Sequence, residues 1–183
     1  LLEGGAGEED LNGDAGDDTL DGGDGFDEVE YSAEDGPSGA FVDLGTGTVI
    51  DTWGDSDTLI SIESIRGSDR VDTLIGGDDD IRLRGEGGDD ILTGGDGDDR
   101  LEGDDGNDSL EGGDGNDTLE GNDGNDTLIP GAQDDYQRVE PGTGDDFIDF
   151  AGAGADFNEV EYASEGIDGV DVALSLADRK SVV

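Results

Sequence analysis

A repeat of nine residues runs through the middle of the chain, and it constrains the fold more than any other feature of the sequence. Five consecutive blocks keep glycine at their first and fourth positions, aspartate at their sixth and leucine at their eighth. They read GEGGDDILT, GGDGDDRLE, GDDGNDSLE, GGDGNDTLE and GNDGNDTLI, and they begin at Gly85, Gly94, Gly103, Gly112 and Gly121. This regularity indicates a stacked array of similar units, in which each unit buries its apolar residue against its neighbours.

The same nine-residue phase continues on both sides of these blocks. Further blocks begin at Gly4, Gly13, Gly22, Gly67 and Gly76, and the pattern returns in PGTGDDFID at Pro141. Residues 31–66 break the repeat and carry strand-like stretches at 40–44, 46–50 and 58–65, although their length equals four periods. We therefore divide the chain into a first repeat block at 1–30, an intervening strand segment at 31–66, a main repeat region at 67–149 and a second, truncated strand segment at 150–183.

Each block predicts a six-residue turn followed by a three-residue strand. Glycine at the first and fourth positions allows the positive φ that a tight turn needs. The last three residues, such as Thr118, Leu119 and Glu120, alternate polar, apolar and polar, as in a strand with one inward side chain. Since nine residues form half of a coil, two blocks complete one coil. We predict an all-β fold, a parallel two-sheet solenoid of nine-residue half-coils with interspersed short β-strand segments.

The sixth-position aspartates are predicted to stack in two columns because alternate blocks lie on the same edge of the coil. One column contains Asp72, Asp90, Asp108 and Asp126, and the other contains Asp99, Asp117 and Asp135. The seven blocks at 67–129 hold 21 acidic residues against four arginines, so stacking brings like charges together. A cation that binds between the turns would remove this repulsion. Calcium suits the role because it accepts six to eight carboxylate and carbonyl oxygens in flexible geometry, whereas magnesium demands a tighter octahedron.

The overall composition excludes several other functions. The chain has 53 acidic and 8 basic residues and a formal net charge of −45, which disfavours nucleic acid and anionic membrane as partners. It contains neither Cys nor His, so thiolate chemistry, Ser-His-Asp triads and HExxH zinc sites are excluded. High charge with few apolar residues is also typical of disordered chains, but the regular repeat favours a chain that folds when a cation is bound.

The blocks closely resemble the RTX calcium-binding repeats, whose motif is GGxGxDxUx with U a large apolar residue. The match is close in GGDGNDTLE at 112–120 and extends over roughly half of the chain. The intervening strand segments also resemble those between the RTX blocks of serralysin-type secreted proteases. The resemblance implies a right-handed parallel β-roll (β-solenoid) with several calcium ions held between successive turns. It also implies an extracellular protein that is exported by type I secretion machinery and that folds where calcium is abundant.

The resemblance assigns metal ligands to the sixth-position side chains and to the turn carbonyls. The carboxylate candidates are Glu9, Asp18, Asp27, Asp72, Asp90, Asp99, Asp108, Asp117, Asp126, Asp135 and Asp146, and the glycine candidates are Gly88, Gly97, Gly106, Gly115 and Gly124. Two departures bear on the sites. Glu9 replaces the first aspartate with a longer side chain, and Ile81 should remove one carboxylate.

Three functions are compatible with this sequence. The first is a non-catalytic, calcium-dependent folding, stability and secretion module of a larger extracellular protein, which we expect to be monomeric. The second is an accessory fragment of a secreted protease, lipase or alginate epimerase. The third is a calcium-rigidified spacer of an adhesin. The absence of His favours a catalytic domain, if there is one, outside this chain.

Overall fold

The computed structural model describes residues 1–32, 36–131, 136–150, 158–161 and 171–173, and these residues form β-strands and turns without any helix. The strands stack into parallel coils, and each coil contributes to two sheets that enclose a narrow apolar core. The prediction of an all-β parallel solenoid is confirmed.

Sheet I contains eleven strands and sheet II contains eight. The spatial order in sheet I is β1 (Leu2–Gly7), β3 (Thr19–Gly25), β7 (Ser56–Ile60), β6 (Thr48–Ile50), β5 (Phe41–Asp43), β9 (Thr73–Gly77), β11 (Ile91–Asp96), β13 (Ser109–Asp114), β15 (Thr127–Ile129), β17 (Phe147–Asp149) and β19 (Asp171–Ala173). The order in sheet II is β18 (Asn158–Val160), β16 (Gln137–Glu140), β14 (Thr118–Asp123), β12 (Arg100–Asp105), β10 (Arg82–Gly87), β8 (Ser64–Arg66), β4 (Glu28–Glu30) and β2 (Asp10–Leu11).

The register follows the sequence repeat through the main region. Leu92 pairs with Leu110 in sheet I, and Leu101 pairs with Leu119 in sheet II, so each coil consumes two blocks. After Ile129 the step lengthens from 18 to 20 residues, and Leu119 pairs with Val139. The nine-residue half-coil is therefore the repeating unit of the structure.

The core is a single file of aliphatic side chains from the eighth position of each block. The leucines of the seven blocks at 67–129 are fully buried, and they are Leu74, Leu83, Leu92, Leu101, Leu110, Leu119 and Leu128. Leu20, Val29 and Ile65 continue the file toward the N-terminus, and Val139 and Ile148 continue it toward the C-terminus. Each buried side chain contributes about 2 kcal/mol of hydrophobic free energy, and the alternation within the strands directs it inward.

The intervening segment at 31–66 continues the solenoid but widens one side of it. Strand β6 is antiparallel to both β5 and β7, whereas β7 is parallel to β3 and β5 is parallel to β9. In sheet II a single strand, β8, spans the same interval between β4 and β10. Sheet I therefore has two more strands than sheet II at this level, and the repeat resumes in phase on both sides.

Candidate metal sites

Two columns of mostly acidic residues line the edges where the turns lead into the strands. The first column lies where the strands of sheet I begin and contains Asp18, Asp57, Asp72, Asp90, Asp108, Asp126 and Asp146. The second column lies where the strands of sheet II begin and contains Glu9, Asp27, Glu63, Ile81, Asp99, Asp117 and Gln137. From Asp72 to Asp126 the first column is the one that the sequence predicts.

Backbone hydrogen bonds hold one oxygen of each carboxylate that follows Glu9 and Asp18 in these columns. The N–H of Asp90 donates to Oδ1 of Asp108 at 2.8 Å, and the N–H of Asp108 donates to Oδ1 of Asp126 at 2.8 Å. In the second column the N–H of Asp99 donates to Oδ1 of Asp117 at 3.0 Å. Each carboxylate thus closes the turn of the preceding coil, and its orientation is fixed.

The second oxygen of these carboxylates is buried without a hydrogen-bond partner. This group comprises Oε2 of Glu9 and Oδ2 of Asp27, Asp90, Asp99, Asp108, Asp126 and Asp146. A buried carboxylate oxygen without a donor costs free energy unless a cation or another polar group satisfies it. The repetition of this feature along both columns points to a bound ion rather than to a local defect.

The first-position glycines show what these oxygens face. A methyl group on Gly103 would collide with Oδ2 of Asp108 and would lie 2.8 Å from the carbonyl oxygen of Gly121. A methyl group on Gly112 would likewise meet Oδ2 of Asp117 and would lie 2.7 Å from the carbonyl oxygen of Pro130. Carboxylate and carbonyl oxygens from successive coils therefore converge beside each first-position glycine.

This geometry corrects the prediction about glycine conformation. Positive φ occurs at the fourth position, as predicted, but none of the first-position glycines of the five central blocks has it. The left-handed residue is at the second position instead, for example Gly95 with φ of 119° and Asp104 with φ of 70°. The first position requires glycine because a side chain there would occupy the space that the oxygens face.

Burial raises the pKa of four central column carboxylates, Asp90, Asp99, Asp108 and Asp126, well above their ordinary value of 3.8. The pKa rises to about 8 for Asp90, about 7 for Asp99 and Asp126, and about 6 for Asp108, with desolvation as the largest cause in each case. The backbone hydrogen bond to each group opposes this rise, and the charges of neighbouring acidic residues add to it. Ionised columns are therefore unfavourable unless positive charge is nearby.

The available ligands fit calcium. Among the described residues no group of three or more acidic side chains is close enough to hold a metal ion by carboxylates alone. A cation at these edges would therefore use one or two carboxylates together with backbone carbonyl oxygens. Calcium accepts this mixture of ligands in flexible geometry, and the absence of Cys and His leaves a purely oxygen-based donor set.

A comparison with protein families agrees with the geometry. The model of the RTX calcium-binding nonapeptide repeat matches in four copies, at residues 2–32, 66–101, 82–110 and 102–136, which together cover more than half of the chain. The chain belongs to the RTX calcium-binding repeat family. A search among curated proteins finds no match. The described residues contain no helix with the length and apolar character needed to cross a membrane.

The first RTX block keeps the geometry despite its glutamate. A methyl group on Gly4 would lie 2.9 Å from Oε2 of Glu9 and 2.6 Å from the carbonyl oxygen of Gly22. The N–H of Glu9 donates to Oδ1 of Asp27 at 3.0 Å, as in the central blocks. The longer side chain of Glu9 thus reaches the position that Oδ2 of an aspartate occupies elsewhere.

Asp72 and Asp18 differ from the other RTX column residues. Oδ2 of Asp72 accepts hydrogen bonds from the N–H of Ser68 at 2.6 Å and from its hydroxyl group at 3.1 Å. Ser68 therefore satisfies the oxygen that faces a cation site in the central blocks. The side chain of Asp18 is 24% exposed and is less enclosed than its counterparts.

The second RTX column is interrupted at Ile81 and continues into a neutral residue after Asp117. A methyl group on Gly76 would lie 2.7 Å from Cγ2 of Ile81, so carbon replaces oxygen there, as the sequence predicts. Asp135 lies outside the described residues. The position next to Asp117 belongs to Gln137, whose Oε1 accepts the N–H of Asp117 at 3.0 Å and whose Nε2 donates to the carbonyl of Gly115 at 2.6 Å.

The fourth-position glycines lie where the turns of successive coils touch. Gly88, Gly97, Gly106, Gly115 and Gly124 have φ between 114° and 159°. A methyl group on Gly106 would collide with the carbonyl of Gly88, and one on Gly124 would collide with the carbonyl of Gly106. These glycines allow the turns to stack closely, and their role as carbonyl ligands stays a prediction.

Three acidic residues of the intervening segment were missed by the sequence analysis. Oε2 of Glu63 accepts the N–H of Asp27 at 2.9 Å, and Oδ1 of Asp57 accepts the N–H of Asp18 at 2.9 Å. The buried Asp51 lies in the hairpin loop between β6 and β7. Glu63 lies four periods after Asp27 and was detectable from the phase, whereas the spacing of Asp57 is not a multiple of nine.

Proposed function

We propose that this chain is a calcium-dependent folding, stability and secretion module of a larger extracellular protein and that it binds several calcium ions between its stacked turns. The observation that carries the proposal is the series of buried carboxylate oxygens without hydrogen-bond partners in both columns. The family match supports calcium as the ion. The raised pKa values of Asp90, Asp99 and Asp126 support a need for positive charge.

The best candidates to hold calcium are Asp90, Asp108 and Asp126 in the first column and Asp99 and Asp117 in the second. Bound calcium supplies positive charge to the columns. The chain's own part is to orient each carboxylate with a backbone N–H and to present carbonyl oxygens beside a glycine that leaves room for the ion. Because these features require stacked coils, folding and calcium binding form one equilibrium.

The net charge of −45 shifts this equilibrium toward the unfolded chain when calcium is absent. Without calcium the carboxylates of each column repel one another, and the chain stays unfolded. With calcium the same residues hold the coils together. Export through type I secretion machinery and folding outside the cell are supported by the family alone, and they suit a chain that cannot fold before it meets abundant calcium.

The folding proposal is tested by far-ultraviolet circular dichroism during a calcium titration, with magnesium as the control. We expect little β signal in chelator, a cooperative rise with calcium and a much smaller response to magnesium. A chelated chain that already shows the full β signal and melts cooperatively would refute the proposal.

The secretion proposal requires a separate measurement on the intact parent protein in its producing cells. We expect the protein in the culture medium and expect cells that lack their type I export machinery to retain it. Export that is unaffected by loss of this machinery would contradict the proposal and leave calcium-dependent folding untouched.

A further inference from the structure

The hairpin of β6 and β7 packs against the turn that precedes β3, although it lies outside the nonapeptide blocks. The N–H of Asp18 donates to Oδ1 of Asp57 at 2.9 Å, so Asp57 takes the next position in the first column. The N–H of Gly16 donates to Oδ2 of Asp55 at 3.0 Å, and the N–H of Ser56 donates to Oδ1 of Asp17 at 3.0 Å. Reciprocal carboxylate–backbone bonds thus join the hairpin to this turn.

The hairpin loop adds a further buried carboxylate. Oδ1 of Asp51 accepts the N–H of Trp53 at 2.9 Å and the N–H of Asp55 at 2.7 Å, which fixes the side chain in the loop. Asp51 has no exposed surface, and its Oδ2 has no hydrogen-bond partner. Local hydrogen bonding therefore explains one oxygen of Asp51 and leaves the other unexplained.

Asp57, a neighbour of Asp51, also has a buried carboxylate oxygen without a hydrogen-bond partner. Asp57 is 5% exposed, and its Oδ2 is buried without a hydrogen-bond partner. Strand pairing places Val49 opposite Asp57, and the N–H of Asp51, directly after β6, donates to the carbonyl oxygen of Asp55 at 3.0 Å. Asp51 is therefore the diagonal neighbour of Asp57, and both side chains are buried. Two buried, unpartnered carboxylate oxygens therefore belong to adjacent side chains.

Both the geometry and the charges resemble the repeat sites. A methyl group on Gly13 would lie 3.5 Å from Oδ2 of Asp57 and 3.6 Å from Oδ2 of Asp18, so two carboxylates face this first-position glycine. The pKa of Asp57 is raised to about 6, chiefly by burial and further by the charges of Asp51, Asp18 and Asp17. The arginine ion pairs of the described residues are formed by arginines of sheet II strands, away from this hairpin.

We propose that Asp51 and Asp57 bind an additional calcium ion between the hairpin and the turn of the preceding coil. The RTX matches leave residues 33–65 uncovered, so neither carboxylate belongs to a nonapeptide block. Two buried carboxylates suit a hard divalent cation, and an ion there removes the cost of two buried oxygens without donors. This site would fix the added strands of sheet I to the coil below them.

The test uses terbium as a calcium probe, because Trp53 is the single tryptophan and lies in the same loop as Asp51. Tryptophan-selective excitation of the whole chain should produce terbium emission that calcium displaces. Asp51→Asn and Asp57→Asn should each reduce this emission at least tenfold. Asparagine keeps the Oδ1 acceptor and removes the charge. The matched control is Asp43→Asn on β5, because Asp43 accepts the N–H of Thr46 at an exposed site.

Several outcomes would overturn the site. These are no tryptophan-excited terbium emission from the unmodified chain, unchanged emission from both site variants, or equal loss in Asp43→Asn. If the site variants fail to fold, the emission lifetimes of terbium on the unmodified chain are compared in light and heavy water, which measures how many water molecules the ion keeps. A buried ion should carry few waters, and a full hydration shell would refute the site. Failure of the proposed folding function is distinct, because it abolishes the calcium-induced β signal of the unmodified chain.

Discussion

Replacement of Asp90 by asparagine should have opposite effects with and without calcium. Asp90 is 1% exposed, and its Oδ1 accepts the N–H of Asp72 at 2.7 Å, which an asparagine oxygen can still accept. The substitution removes the charge and replaces Oδ2, which has no donor, by an NH2 group. We expect Asp90→Asn to stabilise the calcium-free fold and to weaken calcium binding.

The magnitude follows from the pKa of Asp90, which burial raises from 3.8 to about 8. A raised carboxyl pKa means that the folded chain binds the proton more tightly than the unfolded chain. The resulting cost to folding is absent below the unfolded pKa, grows as the pH rises and becomes complete above the folded pKa of about 8, so that at pH 7 about three of its four units are present. About three units at roughly 1.4 kcal/mol each give a cost of about 4 kcal/mol, which asparagine avoids. Loss of a charged ligand should weaken calcium binding at least tenfold, or about 1.4 kcal/mol.

The assay combines far-ultraviolet circular dichroism in chelator with calorimetric calcium titration, and a stabilising osmolyte is added in steps to the chelated chain so that the folding of the calcium-free state can be measured. The matched control is Asp89→Asn, since Asp89 is the adjacent residue, is exposed and already receives two hydrogen bonds from Asn107 that lower its pKa. Asp89→Asn should change both measurements little. The reasoning is refuted if Asp90→Asn is no more stable than the unmodified chain in chelator, or if the two variants behave alike.

Three further predictions concern protons, the interrupted column and the turns. In chelator, the β signal should rise as the pH falls from about 8 to about 5. The pKa of Asp99 is raised to about 7 in the folded chain, so protonation favours the folded state. A β signal that does not change with pH would contradict this prediction. Ile81→Asp should add one calcium per chain in equilibrium dialysis, and an unchanged count would argue against the column geometry. Gly113→Ala should lower the unfolding free energy of the calcium-loaded chain by more than about 2 kcal/mol, since the residue has φ of 114° and its methyl group would collide with the carbonyl of Gly95. Gly47→Ala, also at positive φ but in open space, is the control and should lose only about 1 kcal/mol in the same urea titration.

The repeat region was predictable because one nine-residue pattern specifies its coils, its apolar core and its carboxylate columns. The period of nine predicts the coil, and the leucine at the eighth position predicts the core that Leu92, Leu101 and Leu110 form. The aspartate at the sixth position predicts the columns in which Asp90 and Asp108 stack. These features follow from the repeat itself, because each strand pairs with the strand two blocks away along the chain.

The alternation of the two sheets is also encoded in the sequence, at the second position of each block. The second position is glycine where it lies in a sheet I strand, as at Gly95 in β11 and Gly113 in β13, with φ near 115°. Within sheet II strands it is Glu86, Asp104 or Asn122, with φ near 70°, where acidic and amide side chains are tolerated. A period of eighteen is thus superimposed on the period of nine, and it distinguishes the two edges.

The intervening segment could be predicted only in part. The stretches at 46–50 and 58–65 contain strands, but the second one divides into the end of β7 and β8, which belong to different sheets. The antiparallel pairing of β6 with β5 and β7 depends on contacts that no local period encodes. For the same reason the approach of Asp57 to Asp18 could not be predicted.

The distribution of positive charge explains why the edges in particular would depend on calcium. Arginines on the outer face of sheet II pair with acidic neighbours, as Arg84 does with Glu102 at 2.7 Å, and the pKa of Glu102 falls to about 2. Arginines of the chain itself thus neutralise Glu102. The pKa of Asp90 moves in the opposite direction, to about 8, because burial dominates and neighbouring carboxylates add to it. Within one solenoid, Glu102 is stable as an ion because it pairs with Arg82, Arg84 and Arg100, whereas the buried column carboxylates require a proton or a bound cation, and calcium would provide the stronger neutralisation at neutral pH.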